Sequence, residues 1–275
     1  MNNRTTLTLL LPLAALAAPS LAQDQVQYSF EFVAEWSAST HPTSFPNNPH
    51  FSPIIGTTHN DSVSLWEPGG IATFGIERMA ETGSPSSLSS EVSSLINQGD
   101  ADQFINLGGV ALSPDNRTGT ITVDSDFPLV SLVTMIAPSP DWFVGIHDVD
   151  LRPGGIWARD LVFDLDPYDS GTDAGVNYTS GNADITPHIP IANISNQFPF
   201  TGSPRIGTFR LTLISDASCS LADLAAPFNT LDFFDVSAFI NAYNAQDTAA
   251  DLTGDGVFDF FDVSAFINSF SAGCP

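Results

Sequence analysis

YSFEFVAEW, Tyr28–Trp36, decides the fold class. Tyr28, Phe30, Phe32, Ala34 and Trp36 alternate with Ser29, Glu31, Val33 and Glu35. That period of two belongs to a strand with one buried face. The same alternation returns at Ile121 and Val123, at Leu161, Phe163 and Leu165, and at Phe209, Leu211 and Leu213. Leu129–Ala137, LVSLVTMIA, is apolar almost throughout, as a central strand is. Long Pro-, Asn- and Gly-rich stretches such as HPTSFPNNPHFSPIIG separate these runs. Strands spaced by irregular loops point to a sandwich rather than to alternating strand–helix units. One helix is predicted to interrupt them. Ser84 would be its N-cap and Pro85 its first residue, with Leu88, Val92, Leu95 and Ile96 on one face.

Outward from this body, the N-terminus reads as a secretory leader over residues 1–22. Arg4 supplies a positive end, Leu7–Ala18 an apolar run too short to span a bilayer, and Ser20-Leu21-Ala22 a small-residue cleavage site. The expected product is exported, secreted or held at a cell surface without a transmembrane segment. The net charge is −24, with 31 acids against 7 basic residues. Such a chain repels nucleic acid and anionic membranes. Its acids either hydrate the surface or gather around a divalent cation. Two cysteines in an exported chain, Cys219 and Cys274, are expected to pair. They bracket the last segment of the chain, so the domains are read as 23–216 and 217–275.

That last segment carries DFFDVSAFIN twice, at Asp232–Asn241 and Asp259–Asn268. Before the second copy stands DLTGDGVFDFFD, Asp251–Asp262. Asp251, Thr253, Asp255, Asp259 and Asp262 fall at loop positions 1, 3, 5, 9 and 12. Gly256 sits where the chain must turn, and Val257 can offer its carbonyl. This is the spacing of an EF-hand-like calcium loop. Val263, Phe266, Ile267 and Phe270 then mark a short helix with one apolar face, and Val236, Phe239, Ile240 and Tyr243 mark its twin. The two faces are expected to pack together. The first loop, Asp223–Asp235, has Ala225 and Pro227 where ligands belong. It is expected to bind calcium weakly or not at all.

In the body, Asp141 occupies one turn, and Asp169 and Asp173 stand four apart in another. Loops at one end of a sandwich can bring such carboxylates to a hard cation, which takes six to eight oxygens at roughly 2.3–2.6 Å. From spacing alone they serve equally well as turn caps. His41, His50 and His59 lack close ligand spacing and read as structural.

The pieces EWSASTHPTSFP, HFSPIIGTTHN, LWEPGGIATFGIERMAETGSP, MIAPSPDWFVGI and DLDPYDSGTDAGV, in this order, resemble the spondin N-terminal domain family from about Gln25 to Ile214. The resemblance implies a mostly β protein, an eight-stranded antiparallel C2-like sandwich with calcium in the loops at one end. The family's ligand positions match Asp141, Asp169 and Asp173. Asp150, Asp164 and Asp166 are nearby acids that could complete or screen the site but are not counted as ligands. Animal members carry cysteines just before the residue matching Trp157, whereas this loop reads LRPGGIW. The tail, about Ser218–Pro275, resembles a dockerin type I module of a kind ending in Gly-Cys, a small α-helical unit. That likeness implies a cohesin-like or surface-anchoring partner, met through the region of Ser237 and Ser264.

These readings together predict a non-catalytic, calcium-binding adhesion or matrix-interaction protein with an extracellular protein or polysaccharide as partner. The cofactors would be two Ca²⁺, one in each module. The alternatives are a polysaccharide-active enzyme and a calcium-dependent lipid-binding module. No Gly-x-Ser-x-Gly elbow, His-Glu-x-x-His helix or phosphate-binding glycine loop occurs in the sequence.

Overall fold

The structure, a computed structural model, describes residues 25–214, 219–225, 228 and 230–274. The expected leader, the expected boundary between 216 and 217, and Pro227 lie outside the described residues. The alternating stretch at Tyr28 forms strand β1, Gln25–Ala34, with Tyr28, Phe30, Phe32 and Ala34 buried on one face. It pairs antiparallel with β5, Asp115–Asp124, and with β11, Gly207–Ile214. The strand β8, Asp160–Leu165, closes this sheet in the order β5-β1-β11-β8. The second sheet contains β3 (Ile55–His59), β4 (Ala101–Asn106), β6 (Leu129–Ala137) and β7 (Trp142–Asp150). Two-residue strands β2 (His50–Phe51), β9 (Tyr168–Asp169) and β10 (Ala192–Asn193) join it. Its path runs β10-β9-β7-β6-β3-β4, with β2 on β6. The two sheets enclose one core, in which Phe30 and Phe32 of β1 and Phe209 of β11 face Leu132 of β6 and Val144 of β7. The protein is a mostly β, antiparallel sandwich.

The outer face of the second sheet is covered as well. Two helices, α1 (Phe74–Thr82) and α2 (Ser86–Gln98), pack Ile76, Met79, Leu88 and Val92 onto Ile55, Val133, Met135 and Phe143. A sheet covered on both faces has no wet side, which is why β6 is buried along nearly its whole length. The sequence reading named only one of these helices and placed its start differently. The α2 helix begins at Ser86 behind Pro85, and no side chain caps it. The Ser84 hydroxyl meets that of Ser86 at 3.0 Å instead of an amide. Ile96, assigned to the packed face, is exposed. The α1 helix is anchored by Glu91 of α2, which accepts the Gly75 amide at 2.7 Å and the Thr73 hydroxyl at 2.7 Å.

The tail contains α3, Phe233–Ala245, and α4, Phe260–Ala272. Identical letters give identical starts. Asp232 and Asp259 cap the helices, and Asp235 and Asp262 bond back to the cap amides at 2.8 and 3.0 Å. Phe239 and Phe266 are buried between the helices. Ile240 and Ile267, expected in the same packed face, are instead about half exposed, because they edge an apolar groove rather than the contact itself. Cys219 and Cys274 form a disulfide that ties the two ends of the segment together. The small core also includes Ile156 from the loop after β7, and Arg159 donates to the Leu221 carbonyl at 2.9 Å.

Candidate metal centres

Asp141 lies in the turn between β6 and β7 and is fully buried. Its Oδ2 accepts the Thr172 and Asp173 amides at 2.8 and 3.1 Å and the Ser170 and Thr172 hydroxyls at 2.9 and 3.3 Å. Its Oδ1 is buried without a hydrogen-bond partner. A carboxylate oxygen left so is costly unless something positive meets it. Asp169, at the end of β9, accepts the Gly171 amide at 2.8 Å and Trp142 Nε1 at 3.3 Å. Asp173 accepts the amides of Gly175 and Ala183 at 2.7 and 2.9 Å. Gly171 makes the turn possible: its φ is +77°, and a Cβ there would run into the Ile189 carbonyl.

The electrostatics show three acids forced together. Burial, then the charge of Asp141, pushes Asp169 up to about 6. Burial raises Asp141 as well, against hydrogen bonds from Thr172, Asp173 and Ser170, and the charge of Asp173 adds to the rise. A fourth acid, which the sequence reading missed, belongs to this group. Glu81 of α1 is raised by burial, opposed by Thr172, with the charges of Glu77, Asp141 and Asp173 adding. Its Oε1 is also buried without a partner. Glu81 and Asp173 line a cleft of about 410 Å³ with Arg78, Ser139, Ser180 and Asn182. One donor atom from each of Asp141, Asp169 and Asp173 does not fall within 4.8 Å of the other two, so the trio would have to close further to share one ion. The nearby acids stay out of the group. Asp164 pairs with Arg205 at 2.9 Å, Asp166 accepts from Asn193 at 3.0 Å, and Asp150 accepts the Arg152 amide at 2.8 Å.

In the tail, Asp251 gathers the loop. Its Oδ1 accepts the Gly254 and Asp255 amides at 2.8 and 3.2 Å, and its Oδ2 the Gly256 amide at 2.8 Å. Gly254 and Gly256 both take positive φ. Asp262 is fully buried and accepts both the amide and the hydroxyl of Thr253, at 3.1 and 3.0 Å. Burial pushes its carboxyl up, but bonds from Asp259, Thr253 and Leu252 outweigh that and hold it low. Asp255 accepts the Val257 amide at 2.9 Å, and Asp259 spends one oxygen capping α4. The acids of this loop likewise do not bring three donor atoms within 4.8 Å. In the first repeat Asp235 accepts the Leu224 and Ala225 amides at 2.7 and 2.9 Å, so the loop frame persists where ligand residues do not. Ser237 and Ser264 are half-buried on α3 and α4.

The three histidines His41, His50 and His59 serve the sandwich. His41 is buried, its ring bonded to Thr40 and to the Pro204 carbonyl at 2.9 and 3.1 Å. His50 is bonded to the Asn48 carbonyl at 2.9 Å. His59 Nε2 lies 2.9 Å from Ser131 Oγ and 3.5 Å from Asp148 Oδ1. Both partners address one ring nitrogen, while Nδ1 faces the Asn60 carbonyl at 2.9 Å. A relay needs the acid and the hydroxyl on opposite nitrogens. The Tyr28 hydroxyl ties the LRPGGIW loop, 2.7 Å from the Ala158 carbonyl and 3.2 Å from that of Leu151.

Residues 26–205 match the Spondin_N family. The chain belongs to that family. Spondin-1 of Gallus gallus is 37% identical over 201 residues, covering 67% of this chain and 24% of that protein. Spondin-1 of Homo sapiens is 37% identical over 191 residues, 63% of this chain and 23% of that protein. Spondin-2 of Rattus norvegicus is 31% identical over 187 residues, 65% of this chain and 55% of that protein. The chain thus spans about a quarter of Spondin-1 and about half of Spondin-2. The spondin match includes β1, both helices on the second sheet and all four clustered acids, and it ends before the disulfide-closed tail. Among the described residues no helix is long and apolar enough to cross a membrane.

Proposed function

We propose that this is an exported, non-catalytic adhesion or matrix-interaction protein whose spondin-type sandwich is braced by Ca²⁺, with a dockerin-like helix pair as its attachment module. The observation that carries the calcium reading is Asp141, a fully buried carboxylate with four donors on one oxygen and none on the other. Asp141, Asp169, Asp173 and Glu81 would hold the ion. They offer oxygen donors only, the set a hard cation takes. The ion would neutralise acids that otherwise repel one another, and would fix the loops that present a binding surface. In the tail, Asp251, Thr253, Asp255, Asp259, Asp262 and the Val257 carbonyl would hold a second Ca²⁺. The attachment role is supported by the duplicated helices and by Phe233, Phe234, Phe260 and Phe261, all exposed near the helix starts. A cohesin-like or other surface partner would meet that end near Ser237 and Ser264.

Calorimetric titration of the full chain with Ca²⁺ tests the reading. Two sites are expected, one lost on Asp173→Ala and the other on Asp255→Ala. A single site that survives both changes would sink it. A hydrolytic role would draw on the same carboxylates as acid and base, so turnover of any glycoside or ester in a substrate panel, abolished by Asp169→Asn, would favour the enzyme instead.

A further inference from the structure

Among the described residues, one set of three His, Cys, Asp or Glu side chains outside the disulfide brings donor atoms within 4.8 Å of one another. It is Glu77, Asp184 and His188, and it lies beside the acidic group rather than within it. Glu77 is one turn before Glu81 on α1. Asp184 pairs through its backbone with Asp173. The segment that carries Asp184 and His188 is laddered onto the acidic turn. The Ile185 amide donates to Thr172 O at 2.8 Å, the Ile189 amide to Gly171 O at 3.0 Å, and the Ala174 amide to Ala183 O at 2.9 Å.

We infer that Glu77, Asp184 and His188 form a second metal site in the sandwich, selective for a borderline transition ion such as Zn²⁺ or Co²⁺ rather than Ca²⁺. Two carboxylates and an imidazole are the donor mixture that such ions take, whereas calcium takes oxygen. His188 Nε2 lies 3.9 Å from Glu77 Oε2. Two ligands bound to one zinc at about 2.0–2.2 Å each sit roughly 3–4 Å apart, so this pair needs only a slight closure. Side-chain exposure is 25% for His188 and 17% for Glu77, low enough to hold them in place. Asp184 is exposed, which leaves the outer side of the site open to water. Its Oδ2 is oriented by the Thr186 hydroxyl at 2.9 Å. The site shares α1 and the 171–174 ladder with the acidic group, so an ion at one braces the frame of the other.

The test is optical titration of the full chain with Co²⁺ in millimolar Ca²⁺, which occupies oxygen-only sites. One saturable Co²⁺ per chain is expected, with visible bands of a nitrogen-containing ligand set that added Zn²⁺ abolishes. His188→Ala and Glu77→Gln should each weaken it by more than about tenfold, while His50→Ala and His147→Ala leave it unchanged. Circular dichroism of each variant confirms that the fold is kept. No saturable Co²⁺ uptake, or uptake that His188→Ala leaves intact, overturns the assignment. Loss of the Ca²⁺ isotherm without loss of the Co²⁺ bands would count against the calcium reading alone.

Discussion

Phe239 and Phe266 stack face to face, their ring centroids 4.3 Å apart and their planes within 11° of parallel. They hold the same place in the two copies of DFFDVSAFIN, so the repeat delivers one ring from each helix to a shared contact. The core around them is small and includes Ala222, Ala242, Ala249 and Ala250. Truncating one ring therefore removes a large share of it. Phe266→Ala is expected to cost about 3 kcal/mol or more, enough to unfold the helix pair while the sandwich persists. Ile267→Ala, one residue on and about half exposed, should cost well under about 1 kcal/mol. Hydrogen exchange of α3 and α4 amides reads the contrast. Equal effects from the two changes would mean that the stack does not hold the helices.

Asp141 gives a prediction in which two substitutions move stability in opposite directions. Asp141→Asn keeps an acceptor for the Ser170, Thr172 and Asp173 donors and removes the charge. Without calcium it should leave the melting temperature unchanged or raise it, and it should abolish any rise on adding Ca²⁺. Asp141→Ala leaves the Thr172 and Asp173 amides unmet inside the protein, and each unmet buried donor costs about 1–3 kcal/mol. It should lower the melting temperature with or without calcium. If Asp141→Asn destabilises the ion-free chain as much as Asp141→Ala, the charge is not a burden there and the cation reading fails.

These two cases show what the sequence could reveal. The β1 strand was legible because Tyr28, Phe30 and Phe32 bury on one side while Ser29 and Glu31 face out. The continuous apolar run of β6 announced burial on both faces. The β3 strand was not legible, although all five of its residues are buried. Thr57, Thr58 and His59 look like surface residues, yet the Thr57 hydroxyl donates to the Gln103 carbonyl at 2.7 Å and His59 meets Ser131. Polar groups with partners can be buried, and hydropathy patterns do not see partners. Asp141, Asp169 and Asp173 were marked by their turns and by the family motif. Glu81 was not, because α1 was not recognised as a helix, and the tertiary fold rather than local spacing brings it to the acidic group. A helix reading with Glu77 and Glu81 four apart would have been the signal. The isoleucines at 240 and 267 mark the opposite error, since a helical stripe predicts a face but not how much of it a partner covers.

The pH dependence of the ion-free chain follows from Asp169. Its carboxyl is pushed up to about 6 in the fold from an ordinary 3.8. The folded chain therefore holds a proton that the unfolded chain releases between those values. Stability contributed by the protonated form is complete below about pH 4 and is lost as pH rises to about 6. Asp141 and Glu81 are shifted in the same direction and steepen the loss. Asp160, held low by its hydrogen bond to Arg210, and Asp262 work the opposite way, but their effect falls below about pH 4. Thermal melts in chelator from pH 4 to pH 7 should show a falling melting temperature. Asp169→Asn should flatten that slope, and calcium should flatten it in the parent chain. A melting temperature that rises over this interval in chelator would contradict the crowding of these acids.

The disulfide sets the last expectation. Cys219 and Cys274 are 55 positions apart in sequence. Closing a loop of that length restricts the unfolded chain by about 4 kcal/mol in the chain-entropy account. A module with so few large core residues has little else to offset its ordering cost. Reduction, or the Cys219→Ser/Cys274→Ser pair, should therefore unfold α3 and α4. The sandwich has its own core and no cysteine among its described residues, and should keep its melting transition. The tail has one further support, since Ile156 enters its core and Arg159 bonds Leu221 O. If that contact is a real prop, Ile156→Ala should make the helix pair easier to unfold after reduction. With the disulfide intact its effect should be smaller. Limited proteolysis between α3 and α4 measures both. Cleavage rates that do not change on reduction would place the stability of the tail in its helix contact and its loops rather than in the covalent tie.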